Sequence, residues 1–151
     1  MMRAPDTAIR KRWMATLAKA DPAKLEQLVS QLDIAIGHRF IRSPETGMVM
    51  VQARTGGMGR VFNFGEATVT RCSVTTPEGF IGHAYVMGRN RRHAELAALM
   101  DARLNDPATF DKVMAGVIDP LETQWNQRKS REAAGIAETK VDFFTLVRGE
   151  S

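Results

Sequence analysis

Residues 88–95, with the sequence GRNRRHAE, hold the side chains best suited to bind an anion. They follow a predicted strand and open a predicted helix, where free backbone N–H groups and the positive end of the helix dipole favour negative charge. Arginine side chains add charge-assisted hydrogen-bond donors. The predicted phosphate- or phosphonate-binding residues are Arg89, Arg91, Arg92 and His93. The sequence leaves open the alternative that these arginines pair with acids such as Glu95 or Asp101, or contact a neighbouring subunit.

The remaining reactive side chains do not form a recognisable catalytic or metal site. His83, His93 and Glu95 lack a known ligand spacing, because residues two apart on a helix point in different directions. The one cysteine, Cys72, lies in the middle of a predicted strand, where a thiol behaves as a small apolar group. We therefore predict no catalytic residue, no metal ligand and no cofactor bound by this chain alone.

The composition is that of a folded, moderately basic protein. Its 151 residues, 44% of them hydrophobic, suffice for a core and suit one domain, so we predict a single domain over residues 1–151. The formal net charge of +4 permits anionic partners. No stretch approaches the ~20 apolar residues that span a bilayer, and a single cysteine gives no disulfide framework. We expect a cytoplasmic protein with no membrane or nucleic-acid partner.

Capping residues predict helices on both sides of a central region in the sequence. Asp6 or Thr7 is expected to cap a first helix, and Asp21-Pro22 to start a second that ends at Gly37. After the central region, Asn90 is expected to cap a helix rich in alanine and leucine. Residues 105–107 then end that helix and begin another, and a further helix starts at residue 120.

Residues 42–87 carry the signals of β-structure. Residues 43–47 read as a turn, and strands are predicted over residues 48–54, 68–76 and 80–87. Short connections favour antiparallel pairing, because parallel strands need long crossovers. The predicted fold class is therefore α+β, with an antiparallel sheet of at least three strands between an N-terminal helical hairpin and C-terminal helices.

The Pro-Glu-Gly turn at residues 77–79 predicts a specific register for the last hairpin. With Thr76 facing Phe80, Cys72 lies opposite Ala84 and Arg71 lies opposite Tyr85. Cys72 and Ala84 then belong to a core face of small residues, which Val74 and Val86 complete. A shift of one residue would exchange the two faces.

Two segments are too apolar to be left exposed to water. The strand over residues 80–87 is apolar on both faces, which is typical of a strand covered on both sides. The tail over residues 141–147 is also hydrophobic and is expected to dock. The cover is either the chain's own helices or a partner subunit. The predicted interface residues are Phe80, Tyr85, Met87, Phe143 and Phe144.

Several stretches resemble the PhnG family of the bacterial carbon–phosphorus lyase system, in order and spacing, over about residues 9–150. The longest is FNFGEATVTR at residues 62–71. The others are RWM at 12–14, PETG at 44–47, GGMG at 56–59, GRN at 88–90, HAE at 93–95, VDFFT at 141–145 and VRGE at 147–150. One departure is Asn90, where the family pattern has Asp; either residue caps a helix.

The resemblance implies an accessory, non-catalytic subunit of the carbon–phosphorus lyase core complex. Its implied partners are the PhnI, PhnH and PhnJ subunits. The implied complex-level reaction transfers an alkylphosphonate to the ribose of ATP and releases adenine, as in an alpha-D-ribose 1-methylphosphonate 5-triphosphate synthase. ATP is thus the implied co-substrate, and the catalytic residues lie on partner subunits. The residues alone also allow a stand-alone module that binds phosphate or nucleic acid through its arginine clusters.

Overall fold

A computed structural model describes residues 5–56 and 59–148, with side chains described up to residue 135. Helices precede and follow one antiparallel sheet, so the predicted α+β class and the order of its parts are confirmed. The elements are α1 (Thr7–Lys19), α2 (Pro22–Ser30), β1 (Arg39–Arg54), β2 (Val61–Thr75), β3 (Ile81–Met87), α3 (Arg91–Leu104), α4 (Phe110–Val113), a π-helical turn (Met114–Ile118) and α5 (Asp119–Arg148).

The N-terminal helical hairpin begins where its caps predict. The carboxylates of Asp6 and Asp21 accept hydrogen bonds from the first turns of α1 and α2. The predicted end of α2 at Gly37 is wrong, because the helix ends at Ser30. Leu32 instead packs against Gly116, where an added Cβ would lie 2.6 Å from the leucine Cδ2. Tertiary packing, and not a further turn of α2, therefore covers the Leu32 side chain.

The sheet order is β1–β2–β3, and the predicted register of the last hairpin is confirmed. Cys72 pairs with Ala84 and Arg71 with Tyr85, and the Thr76 N–H donates to the Phe80 carbonyl at 2.9 Å. The small-residue face made by Cys72, Val74, Ala84 and Val86 is buried. It lies against α3, which supplies much of the core.

The turn predicted at residues 43–47 is wrong, because these residues lie inside β1. Glu45 and Thr46 pair with Arg71 and Thr70 of β2, and register shifts flank them on one side. β1 is an edge strand, where the missing N–H of Pro44 breaks no ladder hydrogen bond that the sheet needs. β-Bulges at the register shifts accommodate the unpaired residues of β1, so the strand continues to Arg54.

The helices after the sheet also follow their local signals. The Asn90 side chain accepts the His93 N–H at 2.9 Å and so caps α3. The predicted break at residues 105–107 is confirmed. Before Pro120 the backbone widens into the π-helical turn. Proline lacks an N–H and clashes with the carbonyl four residues earlier, so the wider turn lets the helix pass it.

A buried carboxylate joins α1, α3 and β3. Asp101 of α3 is completely buried, and its oxygens accept hydrogen bonds from Trp13 Nε1 at 2.8 Å and from the His83 backbone N–H at 2.9 Å. Arg10 donates to the same carboxylate at 2.9 Å. This contact raises the pKa of the Arg10 guanidinium. The carboxylate therefore holds the first helix against the edge of the sheet.

Gly82 marks the closest approach of β3 and α3. A Cβ at this position would lie 1.9 Å from the Ala98 carbonyl oxygen and 2.4 Å from the Ala102 nitrogen. We expect Gly82→Ala to lower the free energy of unfolding by about 3 kcal/mol, because backbone atoms cannot move aside as a flexible side chain can. Chemical denaturation measures the loss. Gly65→Ala is the matched control, since a Cβ there meets nothing within 4 Å; equal effects of the two substitutions would contradict the packing argument.

Candidate functional site

The predicted phosphate-binding corner, residues 88–95, contains two residues whose side chains already form contacts within the fold. Arg92 donates to Glu26 of α2 at 3.0 Å and to Glu95 at 3.1 Å. The hydrogen bond to Glu26 raises the pKa of Arg92. His93 is buried, and its Nε2 lies 2.8 Å from the Leu17 carbonyl oxygen, to which it donates. Glu26 lies far away in the sequence, and no local pattern indicates its contact with Arg92.

The other two residues of this corner are open to solvent. Arg89 and Arg91 are exposed, and neither forms an ion pair with the described part of the chain. Gly88, with φ of 90°, turns the backbone between β3 and α3. The corner thus presents two guanidinium groups beside a helix start whose first free N–H groups are partly capped by Asn90.

The other two histidines and the cysteine have surroundings that serve the fold. His38 Nε2 lies 2.9 Å from Glu95, and His83 Nδ1 lies 2.7 Å from the Ser73 hydroxyl. No group of three or more possible ligands that could hold a metal ion occurs among the described residues. Cys72 is buried, and its desolvation raises the pKa of the thiol to about 11. A thiol with this pKa carries almost no thiolate at neutral pH and is a poor nucleophile.

The outer face of β3 is exposed, and apart from His83 it carries large hydrophobic or aromatic side chains. Ile81, Tyr85 and Met87 are 46%, 58% and 68% exposed. Phe80 lies just before the strand and is half-buried. Within the described part of the chain, helices therefore cover only the inner face of this strand. The side chains of Phe143 and Phe144 lie outside the described residues, although the backbone of the tail is helical to Arg148.

The larger apolar surface lies where β1 and β2 extend past β3. β3 pairs with β2 only from Val69 to Thr75. The remaining two-stranded ribbon, residues 48–54 and 61–68, is here called the β-arm. Its large hydrophobic side chains are at least about one-third exposed: Met48, Val49, Met50, Val51, Val61, Phe62 and Phe64.

Both faces of the β-arm carry exposed apolar side chains. Met48 and Met50 pair with Thr68 and Glu66, on the face that continues the buried side of the sheet. Val49 and Val51 point to the opposite face, because side chains alternate along a strand. A two-stranded ribbon alone is marginally stable in water, and exposed apolar patches of several hundred Å² mark interaction sites. The β-arm is therefore the strongest candidate docking surface in the described part of the chain.

Known proteins share this sequence over most of its length. The family described as "Phosphonate metabolism protein PhnG" matches residues 8–149. The chain belongs to the PhnG family. A curated relative from Rhizobium meliloti (strain 1021) is 38% identical over 143 residues, which cover 95% of this chain and 91% of the relative. That relative is named alpha-D-ribose 1-methylphosphonate 5-triphosphate synthase subunit PhnG.

The PhnG resemblance maps onto the surface described above. The stretch at residues 62–71 runs along β2 from the β-arm into the core. The PETG stretch at residues 44–47 forms the irregular part of β1 beside it. The described residues include no helix with the length and apolarity needed to cross a bilayer.

Proposed function

We propose that this PhnG-family chain is an accessory, non-catalytic subunit of a cytoplasmic phosphonate-processing transferase complex. The β-arm is the observation that carries the proposal. Seven large apolar side chains, exposed on two faces of a ribbon, form a surface of the kind that marks contact with another protein. The name of the Rhizobium relative, a subunit of a triphosphate synthase, supports the same conclusion.

The complex-level reaction transfers an alkylphosphonate to the ribose of ATP and releases adenine. In this proposal, PhnI, PhnH and PhnJ are the partner subunits, and they hold the catalytic residues and the ATP. Among the described residues the thiol is buried and the histidines are engaged in structural hydrogen bonds. The chain's contribution is therefore to shape and hold the assembly.

We expect the purified chain to release no adenine from ATP and methylphosphonate, because its described residues include no activated nucleophile. The co-expressed complex should release adenine, and the same complex assembled without this chain should lose that activity by at least tenfold. Chromatographic detection of adenine makes the comparison. Adenine release that scales with the isolated chain, or full activity without it, would contradict the accessory role.

Arg89 and Arg91 are proposed to contact an anion in the complex, either a substrate phosphate or a partner's acid. An arginine that donates a charged hydrogen bond contributes about 1.5–3 kcal/mol. We therefore expect Arg91→Ala to weaken growth on phosphonate or assembly at least tenfold. Arg92→Ala is the control, since its pairs with Glu26 and Glu95 predict a loss of stability instead. Unchanged growth and assembly in Arg91→Ala would assign the side chain to the solvated surface.

A stand-alone phosphate- or nucleic-acid-binding module is the second candidate function, and the two unpaired arginines favour it. Such a module would bind its anion without partners and with a steep dependence on salt. Binding of inorganic phosphate or of an oligonucleotide to the isolated chain, lost in Arg91→Ala, would support it. Assembly-dependent binding alone would favour the subunit role.

A further inference from the structure

A groove of about 910 Å³ lies between α1 and β3. His83, Ala84 and Tyr85 line one side, and three consecutive strand residues can line a cavity together only along the backbone edge. The opposite wall is α1, over residues 7–18, and Ala97 of α3 also contributes. The two walls run side by side, because Arg10 is tied through Asp101 to His83 and Leu17 contacts His93 beyond the end of β3.

Most of the outward-facing backbone groups on this edge have no partner among the described residues. The Gly88 N–H donates to the Thr68 carbonyl, and the Phe80 carbonyl accepts from the Thr76 N–H. The backbone N–H and C=O groups of the even-numbered residues of β3 therefore point to β2, and those of the odd-numbered residues point to the groove. Asn105 binds the Ile81 carbonyl at 3.0 Å, and Asp101 accepts the His83 N–H at 2.9 Å. The N–H and C=O of Tyr85 and Met87 have no hydrogen-bond partner among the described residues.

The two edges of the sheet differ in the features that prevent pairing with an additional strand. β1 carries Pro44, register shifts and the exposed cations Arg39 and Arg42, which are features that block an additional strand. β3 carries no proline, lysine or arginine, and its pairing with β2 is regular. The edge of β3 therefore remains open to an additional strand.

The groove has the size and lining for an extended polypeptide. Residues 7–18 of a helix extend about 17 Å, which is the length of about five residues of a strand. Alanines 15, 18, 84 and 97 leave room for incoming side chains, and Met14 and Leu17 add apolar surface. Lys11 lies at the rim, is exposed and forms no ion pair with described residues.

We propose that an extended segment of a partner subunit adds to the sheet at the free edge of β3, as a fourth strand beneath α1. The segment is about five residues long, apolar at alternate positions, and carries an acidic residue that faces Lys11. Main-chain hydrogen bonds to Tyr85 and Met87 provide affinity, and the alanine-lined space selects the side chains. The proposal rests on the proposed subunit role and adds a second contact, separate from the β-arm.

Single-residue hydrogen exchange on the free chain and on the co-expressed complex tests this strand addition. We expect the amides of Tyr85 and Met87 to exchange at least a hundredfold more slowly in the complex. The amides of Ala84 and Val86, which face β2, serve as the internal reference. A complex that forms with unchanged Tyr85 and Met87 exchange would overturn the fourth strand and leave the subunit role intact. Failure of any complex to form would overturn both.

Two pairs of variants complete the test. Tyr85→Pro removes the outward N–H without breaking the β2 ladder, whereas Tyr85→Thr changes the side chain and keeps the N–H. Ala18→Leu fills the groove, and Ala8→Leu adds the same bulk at an exposed position of α1 outside it. We expect Tyr85→Pro and Ala18→Leu to bind the complex at least tenfold more weakly than their controls, at similar melting temperatures. Equal affinity within both pairs would overturn the proposal.

Discussion

Asp101→Ala is expected to lower the free energy of unfolding by about 3–5 kcal/mol, because a buried charge partner disappears. The substitution leaves Trp13 Nε1 and the His83 N–H without an acceptor in the core, and it frees Arg10 from its partner. Each buried donor left unsatisfied costs about 1–3 kcal/mol. A domain of this size is stable by only about 5–15 kcal/mol, so the melting temperature should fall by roughly 10 °C.

The role of the Asp101 carboxylate can be separated from a general effect of losing an acid. Asp111→Ala is the control, since Asp111 is exposed in the first turn of α4; its cost should stay below about 1 kcal/mol. Asp101→Asn should fall between the two, because it keeps one oxygen acceptor and loses the charge. Thermal and urea denaturation of the three variants decide the matter. A loss of unfolding free energy in Asp101→Ala no larger than that in Asp111→Ala would refute the stabilising role of the Asp101 hydrogen bonds.

The double substitution Met50→Ser with Phe64→Ser is expected to weaken assembly with the partner subunits by at least a hundredfold. Both side chains are more than half exposed in the free chain and belong to the β-arm. Burial of each contributes about 1.5–3 kcal/mol at a well-packed interface, and 1.4 kcal/mol corresponds to a tenfold change in affinity. Quantitative pull-down from co-expressing cells measures the effect.

The same double variant should leave the isolated chain almost as stable as before, within about 0.5 kcal/mol, because surface substitutions rarely change stability more. Ile9→Ser with Ile36→Ser is the matched control. These isoleucines are 40% and 53% exposed but lie outside the β-arm. Assembly of the β-arm variant at the level of this control would refute the β-arm as a docking surface.

Local signals in the sequence predicted the parts of this fold that local chemistry determines. Asp21 and Asn90 cap helices because their side-chain oxygens reach backbone N–H groups two or three residues away. The last hairpin follows its turn, so the register that buries Cys72 could be predicted. The early end of α2 and the continuation of β1 through Pro44 could not, since tertiary packing and an edge position decide them.

The site was harder to predict because its contacts are long-range. Arg92 forms a hydrogen bond with Glu26, 66 residues away in the sequence, and Arg10 forms one with Asp101, 91 residues away. A local pattern around Arg92 identifies a cation but not its partner. The sequence MVMV at residues 48–51 predicts part of a strand but not which of its faces is covered. Only the topology shows that β3 ends before it reaches this stretch and that no element of the described chain covers it.

Methionine oxidation in the free chain and in the complex tests most directly that another subunit covers the β-arm. Met48 and Met50 are 64% and 54% exposed, whereas Met100 is fully buried and serves as an internal reference. An interface of a permanent subunit buries about 2,000 Å² or more, enough to enclose the β-arm. The account predicts rapid hydroxyl-radical oxidation of Met48 and Met50 in the free chain and at least tenfold slower oxidation in the complex, with Met100 slow in both. Equal oxidation of Met48 and Met50 in the two states would contradict it.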